Sequence, residues 1–393
     1  MSGVFIVKAS DFKGQKSVVD YANPKPNGSG PFNKVTRFNA TDYVLSKNKK
    51  FWQPGKPMVP CIERISALSN DAALLQNISG EADWSHNFYP NVETSYIAKD
   101  KAHYHSSYLP VGTPISLVFD TTKYPYSIVG FRKGVSMAIN RNDVSKLGEY
   151  GYAPPVQALG IEDVWASWID PKLKAQAKTL ATYSPTAAKK AFTDAGFTYK
   201  GSDLYDPKGG RVGFEMHVIN GWGDWVASLQ IIAKNLQAVG IDASVKLDAD
   251  WSVWQPAAMS SKVVTLLWSN GADGLNPYTF YYSNMDPSQD VGAGNDASTT
   301  GNWEHFQSNS AAGMLKTMKG TLDRKKQLKA AYGLEKIWLK NLPIIPLFVG
   351  PRWSTYSTKY FTGFPTSKDP YVDPIFSTGT QNEQILLRLK PAK

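Results

Sequence analysis

The sequence predicts an α/β fold divided between two lobes, and three observations carry that expectation. Residues 212–247 read as strand, helix and strand in succession. Further apolar runs of strand length occur at 115–119, 263–268 and 344–349. The third observation is length: 393 residues, 42% of them hydrophobic, exceed the roughly 100–200 residues of one typical domain.

The elements follow in order. Asn23-Pro-Lys-Pro-Asn-Gly-Ser-Gly-Pro31 is a dense turn-forming segment. Strand-like stretches at 32–38 and 42–46 precede the turn Gln53-Pro-Gly-Lys-Pro57, and 62–68 is a further strand. Ser69 or Asn70 caps a short helix that Gly80 stops. Residues 129–147 read as one helix, with Val135, Met137, Ala138 and Ile139 supplying its apolar face. Ser184-Pro185 opens another helix, ended by Gly196, because proline is tolerated in a first turn.

In 212–247 a strand ends at Ile219 and Asn220-Gly-Trp-Gly-Asp224 turns the chain. Trp225, Leu229, Ile232, Leu236 and Val239, at steps of three and four, then form a helical stripe that stops at Gly240. Open α/β sheets gather ligands at the carboxyl ends of their strands, which puts Trp222, Asp224 and Trp225 where a ligand is met. The strand at 263–268 likewise runs into Ser269-Asn-Gly-Ala-Asp-Gly-Leu-Asn-Pro277 and the aromatics Tyr278, Phe280, Tyr281 and Tyr282. A long helix covers 323–341.

Composition narrows the functional classes. Net charge is +10, but lysine and arginine are dispersed and the densest runs, Lys47-Asn-Lys-Lys50 and Arg324-Lys-Lys326, are short. That argues against a nucleic-acid surface. A single cysteine, Cys61, excludes an internal disulfide framework and cysteine-based metal clusters, and its place in a strand assigns it to the core. The longest nearly apolar run, 342–350, is far short of the roughly 20 residues that cross a bilayer. No phosphate-binding loop or nucleophile elbow is present. His103 and His105 share a strand face, yet no third ligand supports a metal site. Asp224 and Asp273 both lie in strand-end loops and are the carboxylate pair that a glycosidase would need. Ligand anchoring is the simpler role for each.

Twelve tryptophans are the unusual feature. Trp52, Trp338 and Trp353 are assigned to packing. Trp84, Trp165, Trp168, Trp222, Trp225, Trp251, Trp254, Trp268 and Trp303 mostly lie in or beside loops. There an indole face can stack on a sugar ring or accept an apolar peptide side chain.

Six motifs, in order, resemble the family 5 extracellular solute-binding proteins of ABC importers, the oligopeptide/dipeptide-binding family. They are Asn23-Pro-Lys-Pro-Asn-Gly-Ser-Gly-Pro-Phe32; Asn48-Lys-Lys-Phe-Trp52 with Gly55-Lys-Pro57; Ala73-Leu-Leu with Gly80-Glu-Ala-Asp83; Phe119-Asp-Thr-Thr with Pro125; Phe131-Arg-Lys-Gly-Val-Ser-Met-Ala-Ile-Asn-Arg141; and Leu342-Pro-Ile-Ile-Pro-Leu-Phe348. The resemblance implies a two-lobed periplasmic-binding-protein-like fold (type II, cluster C) that closes on its ligand about a hinge. It implies residues 1–117 as part of the large lobe I, 118–345 as lobe III, and 346–393 as the return to lobe I. Family members usually carry a signal segment and a further N-terminal portion of roughly 150 residues, the size of a typical domain. By that comparison this chain looks N-terminally truncated.

The implied function is capture of an oligosaccharide or oligopeptide for delivery to a permease and ATPase complex. No cofactor, metal or nucleic acid is involved, and no chemistry is done on the ligand. The implied location is the periplasm or cell surface, with membrane association through the permease or through a lipid anchor that this chain lacks. Gly271-Ala-Asp273 with Pro277 resembles the peptide-binding segment, in which the aspartate pairs with a peptide α-amino group. Gly221-Trp-Gly-Asp-Trp225, Pro277-Tyr-Thr-Phe-Tyr281 and Gly363-Phe-Pro-Thr with Asp369-Pro-Tyr371 resemble instead the branch that includes cello-oligosaccharide binders. The expected ligand-binding set is Trp84, Asn87, Trp222, Asp224, Trp225, Trp268, Asn270, Asp273 and Tyr278. A glycoside hydrolase-like enzyme is the alternative.

Overall fold

The computed structural model describes residues 7–18, 21, 23, 26–110, 113–161, 163–260, 263, 265–269, 276–298, 300–375 and 379–392. The chain divides into a larger unit, Tyr108–Arg352, and a smaller one made of Met1–Ser107 and Trp353–Lys393.

The larger unit, whose elements are numbered here in chain order, is built on a five-stranded sheet. It contains β1 (Pro114–Phe119), α1 (Val129–Ala138), α2 (Lys174–Ala181), α3 (Pro185–Asp194), β2 (Gly213–Ile219), α4 (Gly223–Gln237), β3 (Asp242–Asp248), α5 (Trp251–Met259), β4 (Thr265–Ser269), α6 (Tyr278–Met285), α7 (Arg324–Asn341) and β5 (Ile344–Val349). The sheet order is β3-β2-β4-β1-β5. Every residue of β1 and β5 is buried. A strand covered on both faces has no polar alternation, so both segments read as unbroken apolar runs.

The expected strand–helix–strand unit is present. β2 and β3 pair in parallel, from Gly213 opposite Asp242 to Ile219 opposite Asp248. Leu229, Ile232, Leu236 and Val239 are fully buried beneath α4. Gly240 ends the unit with φ +89°, and a Cβ there would lie 2.3 Å from the Ser202 carbonyl oxygen, so the turn needs glycine twice over.

β4 runs parallel to β2 and antiparallel to β1, and β1 runs antiparallel to β5. The carboxyl ends of β2, β3, β4 and β5 therefore share one end of the sheet with the amino end of β1.

The helix expected over 129–147 is broken. α1 stops at Ala138, and Ile139 is extended at φ −91°, ψ 122°. The Asn140 backbone N–H donates to Asn235 Oδ1 on α4 at 2.8 Å, while the Asn140 side chain caps the next turn. Arg141–Asp143 and the wide π turn Val144–Gly148 follow as separate pieces. A partner 95 residues away thus overrides the local apolar pattern.

The smaller unit has an antiparallel sheet of Phe32–Phe38, Asp42–Lys47 and Cys61–Ile65. Its helix Asn70–Ser79 begins where Ser69 Oγ accepts the Ala72 N–H at 3.1 Å and ends at Gly80, φ +79°. A second sheet places Thr355–Ser357 between Trp84–Ser85 and Tyr104–Ser106, joining the two portions of chain. Val59, Tyr356, Phe364, Ile385, Leu386 and Leu389 form its core. Two expectations are corrected in this unit. Cys61 is exposed rather than core, because inward and outward positions alternate along its strand. Trp52 is 75% exposed and packs only against Phe51 among the described aromatics.

Candidate ligand-binding site

The carboxyl end of β2 carries the first group of candidate residues. The Asn220 N–H donates to the Asp248 carbonyl at 2.9 Å, tying the turn to the end of β3. Trp222 precedes α4 and Trp225 lies three residues on, so the two indoles share one side of the helix start. Their rings meet edge to face at 5.0 Å and 89°, and both are half-buried.

Asp224, between them in sequence, is only 5% exposed. It lies in the first helical turn, where a negative charge is favoured by the helix dipole. Its neighbour is Glu149, fully buried, whose Oε1 accepts the Ser228 hydroxyl at 2.8 Å. Burial, then the Asp224 charge, push the Glu149 carboxyl well above the usual range. Glu149 comes this close because Gly148 packs directly on Ser228; a Cβ at position 148 would sit 2.3 Å from Ser228 Oγ.

A second aromatic group joins the start of α5, after β3, to Trp268 near the end of β4. Asp250 caps α5 by accepting the Ser252 N–H at 2.7 Å, which starts the helix at Trp251. Trp251 and Trp254 are three residues apart, with ring centroids at 5.1 Å. Trp254 stacks on Trp268 at 5.0 Å and 12°, and Trp303 closes edgewise on Trp254 at 5.5 Å. The four rings are graded in burial: Trp254 is 2% exposed and Trp303 is buried, Trp268 is half-buried, and Trp251 is 37% exposed. Such a cluster fixes the outer indoles on an immobile aromatic base. A partly exposed ring held this way offers a preorganised stacking surface.

Among the remaining expected residues, Tyr278 opens α6 half-buried and stacks on Tyr282 at 5.5 Å and 13°. Asn270 and Asp273 lie outside the described residues. Trp84 and Asn87 belong to the smaller unit. Trp84 Nε1 donates to the Pro374 carbonyl at 2.8 Å, and Asn87 Oδ1 accepts the Ser85 hydroxyl at 2.8 Å. The geometry therefore brings together Trp222, Asp224 and Trp225, and separately surrounds Trp268 with three other indoles.

Trp251, Trp254 and Trp303 fall outside the expected binding set. The Trp251/Trp254 spacing repeats that of Trp222/Trp225 and was a usable signal. Glu149 had none, since it meets Ser228 across 79 residues of chain.

The histidines are engaged elsewhere. His103 Nδ1 lies 2.9 Å from Asp100 Oδ2, and His105 Nε2 lies 3.1 Å from Thr358 Oγ1. Among the described residues, no group of three or more His, Cys, Asp or Glu side chains is arranged to hold a metal. Among the described residues, no helix is long and apolar enough to cross a membrane.

Comparison with known proteins adds to this picture. Residues 3–291 match the model of the bacterial extracellular solute-binding proteins, family 5 (middle). The fold is similar to an oligopeptide ABC transporter periplasmic oligopeptide-binding protein from Thermotoga maritima. Its TM-score is 0.84 at 25% identity, covering 98% of this chain and 74% of that one. A mannohexaose-bound structure of the Thermotoga protein gives 0.83 at 24% identity, over 95% and 70% of the two chains. The periplasmic binding protein DppA from Helicobacter pylori, in complex with peptide STSA, gives 0.74 at 18% identity, over 94% and 64%. The glutathione-binding protein GsiB of Escherichia coli strain K12 is 28% identical over 176 residues, which is 44% of this chain and 32% of GsiB. The match thus spans about a third of the length of that relative, 32%. With the family model covering most of its length, this chain belongs to the bacterial extracellular solute-binding proteins, family 5.

Proposed function

We propose that the chain is the substrate-binding component of an ABC import system, capturing an oligosaccharide or oligopeptide and delivering it to a membrane permease. The observation that carries this reading is the two groups of tryptophans at or just past the carboxyl ends of β2, β3 and β4. There Trp222 and Trp225 are partly exposed as an edge-to-face pair, and Trp251 and Trp268 remain partly exposed on a buried base of Trp254 and Trp303. Flat indole faces suit the apolar faces of sugar rings, which favours an oligosaccharide. The mannohexaose in the Thermotoga relative supports that preference.

Peptide is the second reading, supported by the peptide bound to the Helicobacter relative and by glutathione as the named ligand of GsiB. In it Asp273 anchors the peptide amine. Trp222, Asp224 and Trp225, at the start of α4, belong to the proposed binding set. Trp84, Asn87, Asn270 and Tyr278 complete the proposed set.

The ligand leaves unchanged. A hydrolytic alternative finds no support among the relatives, which are named as binding proteins. Work in the periplasm or at the cell surface, beside the permease, follows from the same reading.

Isothermal titration calorimetry against β-linked oligosaccharides and mixed short peptides, with chromatography of the recovered ligand, tests it. Saturable heat with intact ligand is expected from one panel. Ligand cleavage, or no saturable heat from either panel, contradicts the proposal.

A further inference from the structure

We propose that a cavity of about 620 Å³ on the larger unit is a second binding site, taking a small organic anion that carries carboxylate or phosphate groups. Three segments converge on it: the turn 140–142 after α1, the loop 155–157, and the last turn of α2 with residues 182–183. The loop is fixed to the sheet, since the Val156 N–H donates to the Leu347 carbonyl at 3.1 Å and Pro155 bridges to Phe348.

Charge identifies the ligand class. Arg141 lines the cavity and is buried. Its Nε donates to the Pro346 carbonyl at 2.8 Å, Nη1 to the Ser136 and Ala181 carbonyls at 2.8 and 3.1 Å, and Nη2 to Ser136 Oγ at 2.9 Å. Every one of these acceptors is neutral, so among the described residues a buried cation stands without a compensating carboxylate. Burial lowers its pKa to about 9, which leaves it charged at neutral pH. Lys178 is exposed and adds a second cation to the lining, and no carboxylate lines the cavity among the described residues. Asp143, the nearest acid in sequence, accepts from Asn140 Nδ2 at 2.6 Å.

The side chains of Asn142, Gln157 and Tyr183, all exposed, add neutral hydrogen-bonding groups to the lining. An anion here gains the field of two cations and supplies the negative charge that Arg141 lacks. The volume lies within the roughly 300–1,000 Å³ usual for small-molecule sites. A bare phosphate would leave most of it to water, which selects an organic anion.

The site is separate from the Trp222/Trp225 pair. Asn140 is bonded to Asn235, ten residues beyond Trp225 on α4 and hence about 15 Å along the helix.

The test is lysine acylation of the full chain, quantified by mass spectrometry, with citrate or inorganic phosphate as probe and ionic strength held constant with sodium chloride. Citrate is expected to slow labelling of Lys178 saturably while the exposed Lys172 and Lys174 label unchanged. Protection by phosphate as well assigns the recognition to the shared oxyanion; protection by citrate alone assigns it to the carboxylates. Gln157→Ala, an exposed change that leaves the fold intact, should weaken the protection. By calorimetry, Lys178→Gln should lower citrate affinity roughly tenfold, the scale of one charge-assisted hydrogen bond. Lys178 labelling indifferent to millimolar citrate, equal protection of all exposed lysines, or unchanged affinity in Lys178→Gln would overturn the proposal. None of these readouts depends on the sugar or peptide reading.

Discussion

Replacing Glu335 by glutamine isolates a pH-linked cost that falls between pH 4.5 and about 7 and whose magnitude follows from the structure. Glu335 lies on α7 with no exposed surface. Its Oε2 accepts the Asp170 N–H at 2.8 Å, but Oε1 is buried without a partner. Burial is the main cause that raises its pKa from the ordinary 4.5 to about 7, and the Asp170 charge adds to it. The folded state therefore holds a proton that the unfolded chain releases from pH 4.5 upward. Stability linked to this group is full below 4.5, falls as pH rises to about 7, and is level above that. At about 1.4 kcal/mol per pKa unit, the loss is about 3 kcal/mol, most of it between pH 5 and 8. Glutamine keeps an oxygen for the Asp170 N–H and carries no charge, so Glu335→Gln should escape that loss. Urea denaturation of the full chain at pH 5 and pH 8, followed by circular dichroism, reads the difference directly. Glu335→Gln should gain on the natural protein by about 2–3 kcal/mol between those two pH values. A gap that is equal at both, or that favours the natural protein as pH rises, refutes the reasoning.

Other substitutions probe the supports of the proposed site. Gly148→Ala forces a methyl to 2.3 Å from Ser228 Oγ, and should cost about 1–3 kcal/mol in thermal or urea denaturation. It should also weaken ligand binding by shifting the start of α4. Trp254→Ala empties the base of the aromatic cluster and should destabilise by about 3–5 kcal/mol. Trp251→Ala, 37% exposed at the outer edge, should leave the urea midpoint nearly unchanged while reducing affinity.

Much of the larger unit was legible because its signals are local. The steps of three and four from Trp225 to Val239, closed by Gly240, describe α4 and its stop, and the apolar run at 344–349 describes β5. The Ser69 cap and Gly80 stop were equally readable. Three features depend on distant partners and carry no local mark. The break after Ala138 requires Asn235, the burial of Glu149 requires Ser228, and the four-indole cluster requires β3, β2 and β4 to set α5 beside Trp268. Exposure was misjudged at Cys61 and Trp52 for a related reason: hydrophobic residue type says what a side chain prefers, whereas the fold decides what it receives, an outward strand position for Cys61 and a surface bend for Trp52. The pairing of Trp222 with Trp225 followed from spacing, whereas the gradation of burial across Trp254, Trp268 and Trp251 came only with the fold.

The central claim is that partly exposed tryptophans of the larger unit hold the solute, and a tryptophan-fluorescence titration of the natural chain beside Trp222→Ala tests it most directly. Short β-linked oligosaccharides should give a saturable change in the natural chain. In Trp222→Ala the affinity should drop roughly tenfold or more, as expected for loss of one stacked aromatic contact. Peptides that saturate in place of sugars would move the weight to Asp273 as the amine anchor. Saturation by neither ligand class, or sugar binding that is unchanged in Trp222→Ala, would contradict the account.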